Sequence, residues 1–235
     1  MGIPLLDVKN LSAWYGNEKM ALSGVSIALA GHEVVGLIGL NGAGKTTFLK
    51  VLSGLHPSFC SESISLDGRP ANLRGREFKL RRYTVLDEDR SFSYFTFQEY
   101  LSYVFSAYGK EIPDVSELIQ GFHFGDYVNI LLKDLSTGNR KKVFLITAFA
   151  LKTELLLLDE PVNGLDFQST EYLYQKMADY REYGTVLFSS HILESITLTS
   201  DRVCVLEEGN IRQTFTRGQI DAAHIREALH VENDS

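Results

Sequence analysis

Apolar residues recur along this chain with two periods. From residue 5 to 38 short apolar runs alternate with turns, LLDVKNLSAWYG and then ALSGVSIALAGHEVVGLIG, which predicts several β-strands. The last run, EVVGLIG, is β-branched and almost wholly apolar, as in a strand buried on both faces. A glycine-rich turn follows, and FLKVLSGL then predicts an amphipathic helix from Thr47 to Leu55. ISLDGRP (64–70) predicts a strand and a turn. Phe97, Leu101, Val104, Phe105 and Tyr108 fall at helical spacing, and the stretch from 96 to about 134 reads as mostly helical. Beyond it the pattern predicts a helix from Gly138 to Leu151, the strand LLLLD, a helix from Ser169 to Tyr183 and the strand TVLFSS. A short helix in HILESITLTS, two strands in RVCVLEEGNIRQTF, a helix in DAAHIREALH and a polar tail complete the chain. Strands alternating with helices predict an α/β fold, a mainly parallel sheet with flanking helices.

Composition narrows the class. The 235 residues are 44% apolar, enough for a sizeable core, and no repeat or low-complexity linker divides them, so residues 1–235 read as a single domain. A net charge of -7 argues against a broad phosphate-backbone-binding surface; nucleic acid is not an expected partner, though a local basic pocket for a small anion stays open. Cys60 and Cys204 lack the spacing of a zinc site or redox pair and read as reduced thiols. The N-terminus has no basic region followed by an apolar run, so no signal peptide is expected. The longest apolar run, residues 143–151, is far short of a membrane span and is interrupted by Thr147, so a membrane role would come through a partner.

Three short segments carry chemistry. GLNGAGKT (39–46) fits the phosphate-binding pattern G-x-x-x-x-G-K-[ST], with a strand before it and a helix after. Its glycines let the backbone curl so that N–H groups face an anion, at which the helix directs its positive end. Lys45 would reach the β- and γ-phosphates and the Thr46 hydroxyl would ligate Mg²⁺. In LLLLDE, Asp159 and Glu160 emerge at the C-terminal end of a buried strand, the edge at which open parallel sheets bind ligands. Asp159 would hold the metal, and Glu160, one residue on, would address an attacking water. Two adjacent carboxylates are also common on solvated loops; the phosphate loop in the same chain favours the catalytic reading. His191 follows the strand TVLFSS to the same edge and would contact the γ-phosphate.

Together these segments resemble the ATP-binding subunit of ABC transporters over nearly the whole chain. GLNGAGKTT resembles the family's Walker A motif, LLLLDE its Walker B motif with the catalytic glutamate, and NGLD (163–166) its D-loop, with Asp166 as the acidic residue. His191 matches the switch histidine, and Tyr15 in AWYG falls where the family stacks an aromatic on adenine. The resemblance implies a P-loop NTPase of the ABC type, with an N-terminal antiparallel β-subdomain and an α-helical subdomain near 88–138. It implies ATP and Mg²⁺ as cofactors, with Tyr15, Gly39, Asn41, Gly42, Ala43, Gly44, Lys45, Thr46 and Thr47 around the nucleotide.

LSTGN (135–139), which precedes a basic run of Arg140, Lys141 and Lys142, stands where the family carries its LSGGQ signature. In the family two subunits pair head to tail, and each ATP sits between one Walker A and the other subunit's signature. Ser136, Thr137, Gly138 and Asn139 would thus meet the partner's ATP, which implies a homodimer or a heterodimer with a similar chain. Two departures stand out. Thr137 replaces the first signature glycine with a β-branched residue, so a working but slower site is expected. Counting back from TFQEYL, the glutamine of the family's Q-loop falls on Asp87, a further candidate metal ligand, with Glu88 beside it.

The implied activity is ATP hydrolysis that powers integral membrane permease subunits, in a chain held cytoplasmically at the inner face of the membrane by its partner. The ending SSHILESITLTSDRVCVLEEGNI is similar to single-domain subunits of the ABC-2-type exporters. With the sequence ending at VENDS, the long regulatory domain of some importers is not expected. The alternative is a soluble ABC ATPase that moves no solute, acting for example in assembly or repair; a single cassette without zinc cysteines disfavours the repair type. A non-hydrolysing regulatory module would lack Glu160 or His191, and both are present.

Overall fold

A computed structural model describes residues 2–16 and 19–229. Two sheets organise it. The first is antiparallel and contains β1 (Leu6–Tyr15), β2 (Lys19–Leu29), β4 (Phe59–Cys60), β5 (Ser63–Leu66) and β6 (Arg69–Pro70). The second runs in the order β11-β10-β3-β9-β8-β7. Its strands are β3 (Val34–Ile38), β7 (Arg82–Val85), β8 (Leu155–Leu158), β9 (Thr185–Ser190), β10 (Arg202–Glu207) and β11 (Asn210–Thr216). All its pairings are parallel except β10 with β11.

The helices are α1 (Lys45–Leu52), α2 (Arg76–Arg81), α3 (Phe97–Tyr108), α4 (Ser116–Gly121), α5 (Thr137–Leu151), α6 (Phe167–Asp179), α7 (Leu193–Thr199) and α8 (Ala222–Ala228). The parallel sheet is covered on both faces, and the strand period of two divides its side chains between two cores. Val35 and Leu37 of β3 and Leu155 and Leu157 of β8 pack with α1 and the antiparallel sheet. Val34 and Ile38, with Leu156 and Leu158, face α3, α5, α6 and α7. The four leucines of β8 are 0–1% exposed, and full burial of such a side chain contributes about 1.5–3 kcal/mol. The apolar residues of the 88–138 segment, Phe97, Tyr100, Phe122 and Phe124 among them, belong to this second core.

Several boundaries differ from the sequence pattern. The helix expected from Thr47 starts at Lys45 and stops at Leu52, with Gly54 in the left-handed region at φ 71°. The long helical stretch to 134 is broken: α3 is closed by Gly109 at φ 65°, Pro113 follows, and only α4 and two single 3₁₀ turns (125–127 and 132–134) come after. Its start is well marked, because Thr96 and Glu99 cap it reciprocally. The helix expected over 169–183 is α6 with a 3₁₀ turn at Tyr180–Glu182. β7, the edge strand of the parallel sheet, and α2, the short helix before it, had no sequence counterpart. The last residue of the expected final helix, His230, and the polar tail lie outside the described residues. Cys60 is exposed and Cys204 is buried in β10.

Candidate nucleotide site

The C-terminal ends of β3, β7, β8 and β9 open onto one cleft of about 810 Å³. Tyr15, residues 41–47, Asp87, Glu160, Asn163 and His191 line it. Residues far apart in sequence thus share a wall because adjacent parallel strands end together.

The glycine-rich loop is shaped by its neighbours. Gly44, at φ 108°, stands directly before α1, where an L side chain would be both strained and pressed against the Ala21 carbonyl. Gly39 has no room for a Cβ because the Leu206 carbonyl oxygen of β10 lies against it. The Lys45 ammonium is folded into the loop. It donates to the Gly39 carbonyl at 2.7 Å and stands 3.7 Å from Glu160 Oε1. Tyr15 lies at the outer rim, half-exposed, with its ring edge-on to His56 and its hydroxyl 3.3 Å from Thr47 Oγ1.

The acidic side is a short relay. Thr46 Oγ1 donates to Asp159 Oδ1 at 3.0 Å, and Ser189 Oγ donates to the same oxygen at 2.7 Å. Asp159 is buried behind the wall, and that burial raises its pKa; the two hydroxyl donors oppose the shift, while Glu160 and Asp87 add to it. A buried carboxylate next to a hydroxyl is a donor set that suits a hard cation. Among the described residues no three acidic, histidine or cysteine side chains cluster as a metal site, so the protein alone offers few ligands. Glu160 has a left-handed backbone at φ 45°. Its Oε2 accepts from the His191 backbone N–H at 3.3 Å and lies 2.9 Å from His191 Nδ1. Asp87 also reaches the cleft, with its oxygens engaged by Lys141 Nζ at 2.5 Å and Asn163 Nδ2 at 3.3 Å.

None of Ser136, Thr137, Gly138 and Asn139 lines this cleft. Ser136 and Thr137 are exposed, and the Ser136 hydroxyl caps α5 by accepting from the Asn139 N–H at 3.2 Å. Gly138 is buried and cannot carry a side chain, because the Gly164 carbonyl oxygen of NGLD occupies the place of a Cβ. Two lysines of the basic run are buried as well. Lys142 pairs with Asp166 at 2.6 Å, and Asp166 also caps α6 through the Ser169 N–H at 2.8 Å. Burial raises the pKa of Asp166, but the hydrogen bonds from Lys142 and Ser169 outweigh that and hold it well below the usual carboxylate range.

Sequence patterns missed Ser189, Asn163, Lys141 and the β10–β11 turn, where the Gly209 N–H donates to the Ala43 carbonyl at 3.0 Å. Of these Asn163 had a signal as the first residue of NGLD, and Lys141 as part of the basic run after LSTGN.

The architecture is widely shared. A solved ATP-binding subunit of an ABC transporter superposes with a TM-score of 0.82 at 27% identity, covering 98% of this chain and 95% of that one. The dimeric bacterial ABC transporter cassette MJ0796 shares the fold with a TM-score of 0.80 at 19% identity, over 90% and 98% of the two chains. The sequence model of the ABC transporter family matches residues 22–163. The chain belongs to the ABC transporter family. Within it, AlbC of Bacillus subtilis (strain 168), whose name makes it an ABC transporter ATP-binding protein, is 36% identical over 92% of this chain and 93% of its own length. The Nod factor export ATP-binding protein I of Burkholderia orbicola (strain AU 1054) is 34% identical over 89% and 70%. As a member of this family the chain binds ATP and hydrolyses it as the ATPase of a membrane transporter. Such ATPases work in pairs and with membrane permease subunits. Among the described residues no helix is long and apolar enough to cross a membrane.

Proposed function

We propose that this chain is the ATPase subunit of an exporter, that two copies, or this chain and a similar one, enclose ATP head to tail, and that it lies on the inner face of the membrane through a permease partner. The observation that carries the reading is the single cleft lined by the phosphate loop, Glu160 and His191, with Asp159 behind its wall on the Thr46 hydroxyl. Export as the direction rests on the kinship with the Nod factor export protein and on the ABC-2-like ending.

ATP would lie with its base near Tyr15 and its phosphates along residues 41–46. Lys45 would exchange the Gly39 carbonyl for phosphate oxygens. Thr46 and Asp159 would hold Mg²⁺, with phosphates and water as its other ligands; the ion would supply charge neutralisation across the β- and γ-phosphates. The Glu160 carboxylate would orient the attacking water and take its proton as the bond from the γ-phosphorus to the bridging oxygen breaks, leaving ADP and phosphate. His191, held against Glu160, would contact the γ-phosphate. Ser136 and the α5 N-terminus would complete the partner's site.

The test is Glu160→Gln. It keeps ATP binding and stops hydrolysis, so the ATP-bound pair accumulates. The tagged variant, drawn from gently solubilised membranes, is expected to bring down a polytopic membrane protein in stoichiometric amount. Recovery only in the soluble fraction would replace this reading with a soluble ABC ATPase.

A further inference from the structure

Glu160 sits in a left-handed backbone conformation, at φ 45°, that a non-glycine residue holds only at an energetic cost. Both its peptide groups are pinned. Its N–H donates to Ser189 Oγ at 2.9 Å. Its carbonyl accepts from Lys141 Nζ at 2.8 Å and from the Asn163 N–H at 3.2 Å. Lys141 is 2% exposed, so its ammonium needs a counter-charge, and Asp87 supplies it at 2.5 Å. Asp87 leans in turn on Asn163. The ammonium thus bridges the segments that follow β7 and β8 and fastens both to the N-terminal part of α5.

We propose that Lys141 is a positioning residue for hydrolysis: paired with Asp87, it holds the strained Glu160 backbone that directs the carboxylate at the γ-phosphate end of the cleft. The proposal rests on the reading of Glu160 as the group that orients water. It gives Asp87, where the family carries a glutamine, the task of balancing a buried ammonium. It also ties the hydrolytic turn to the helix whose first residues face the partner's nucleotide.

The test compares two paired substitutions that both remove the buried charges together. Lys141→Gln with Asp87→Asn keeps an N–H donor for the Glu160 carbonyl; Lys141→Met with Asp87→Leu removes it. A thermal scan and a fluorescent ATP analogue establish that each folds and binds. The amide pair is expected to keep more than a third of kcat. The apolar pair is expected to lose at least tenfold in kcat, with KM for ATP changed less than threefold. The single variant Lys141→Met should do worse in stability than the apolar pair, since it leaves Asp87 unbalanced. An apolar pair that folds and turns over like the original chain would overturn the proposal, as would a loss confined to KM. Glu160→Gln is run alongside: if that variant still hydrolyses ATP, the reading of Glu160 fails, whereas an inactive Glu160→Gln beside a fully active apolar pair sinks only the role of Lys141.

Discussion

Asp159 shows how a single side chain can be placed against its own preference. Its carboxylate is buried, and its pKa is raised by that burial despite donors from Ser189 and Thr46. An acid whose pKa is higher folded than unfolded costs stability as pH rises through that interval, and the full cost is present above it. Asp159→Asn keeps the accepting oxygen and discards the charge. The nucleotide-free protein should therefore melt at a higher temperature than the original in a scan with chelator at pH 7. Its Mg²⁺-dependent gain in ATP affinity, read by nucleotide titration with and without the ion, should disappear. At this scale the phosphate loop, Asp159, Glu160 and His191 were legible because each motif is contiguous and its spacing is set by a local turn. Lys141, Ser189 and Asn163 were not, because their partners lie 19 to 76 positions away and only the fold brings them close.

Among the elements, α5 departs most from a simple pattern. It is buried almost all round from Lys141 to Leu151, so it lacks the polar stripe of a surface helix. Its two lysines are admitted by their carboxylate partners, which a count of charges along the sequence cannot reveal. Gly138 is required there for packing as well as for any approach to phosphate. Gly138→Ala should lower stability by about 1–3 kcal/mol, as overpacked sites do, in a denaturant titration. Ser136→Ala should cost about 1 kcal/mol through the lost cap. β3 and β8 of the parallel sheet were easy to read because they are uniformly apolar and short; β8 is four leucines. β7 was not, since RYTV carries an arginine that the fold buries by setting it over the Phe78 ring and donating to the Ser53 carbonyl. The helical segment after α3 was overextended because apolar residues recur to 132, while Gly109 and Pro113 already mark the break.

The whole molecule presents its two halves of chemistry on different surfaces. The cleft holds phosphate loop and Glu160, while Ser136 and Thr137 lie outside it. In the proposed head-to-tail pair, a single copy would be an incomplete site. Glu160→Gln with Mg²⁺ and ATP should double the 26.4 kDa mass in light scattering, and should return to single copies when the nucleotide is removed. Phe167, 80% exposed beside Asp166, is expected to be covered in that pair. Phe167→Asp should keep the chain single under the same conditions while leaving ATP affinity within about twofold, because it touches nothing in the cleft. The α/β class and most of the order of strands and helices could be read from periodicity, α2, β7 and the break after α3 excepted. The division into two cores on opposite faces of one sheet could not, because it depends on which alternate residue of each strand meets which layer.

The length of α5 has a mechanical consequence. Fifteen residues at about 1.5 Å each put its two ends about 22 Å apart. Pivoted at Leu151, a tilt of only about 3° would carry Ser136 through about 1 Å, enough to make or break a hydrogen bond. Gly138 against Gly164, and Lys142 against Asp166, mean that NGLD would swing with it. In the proposed head-to-tail pair, a push on the helix would therefore reach the neighbouring copy as a change in the contact Ser136 makes there.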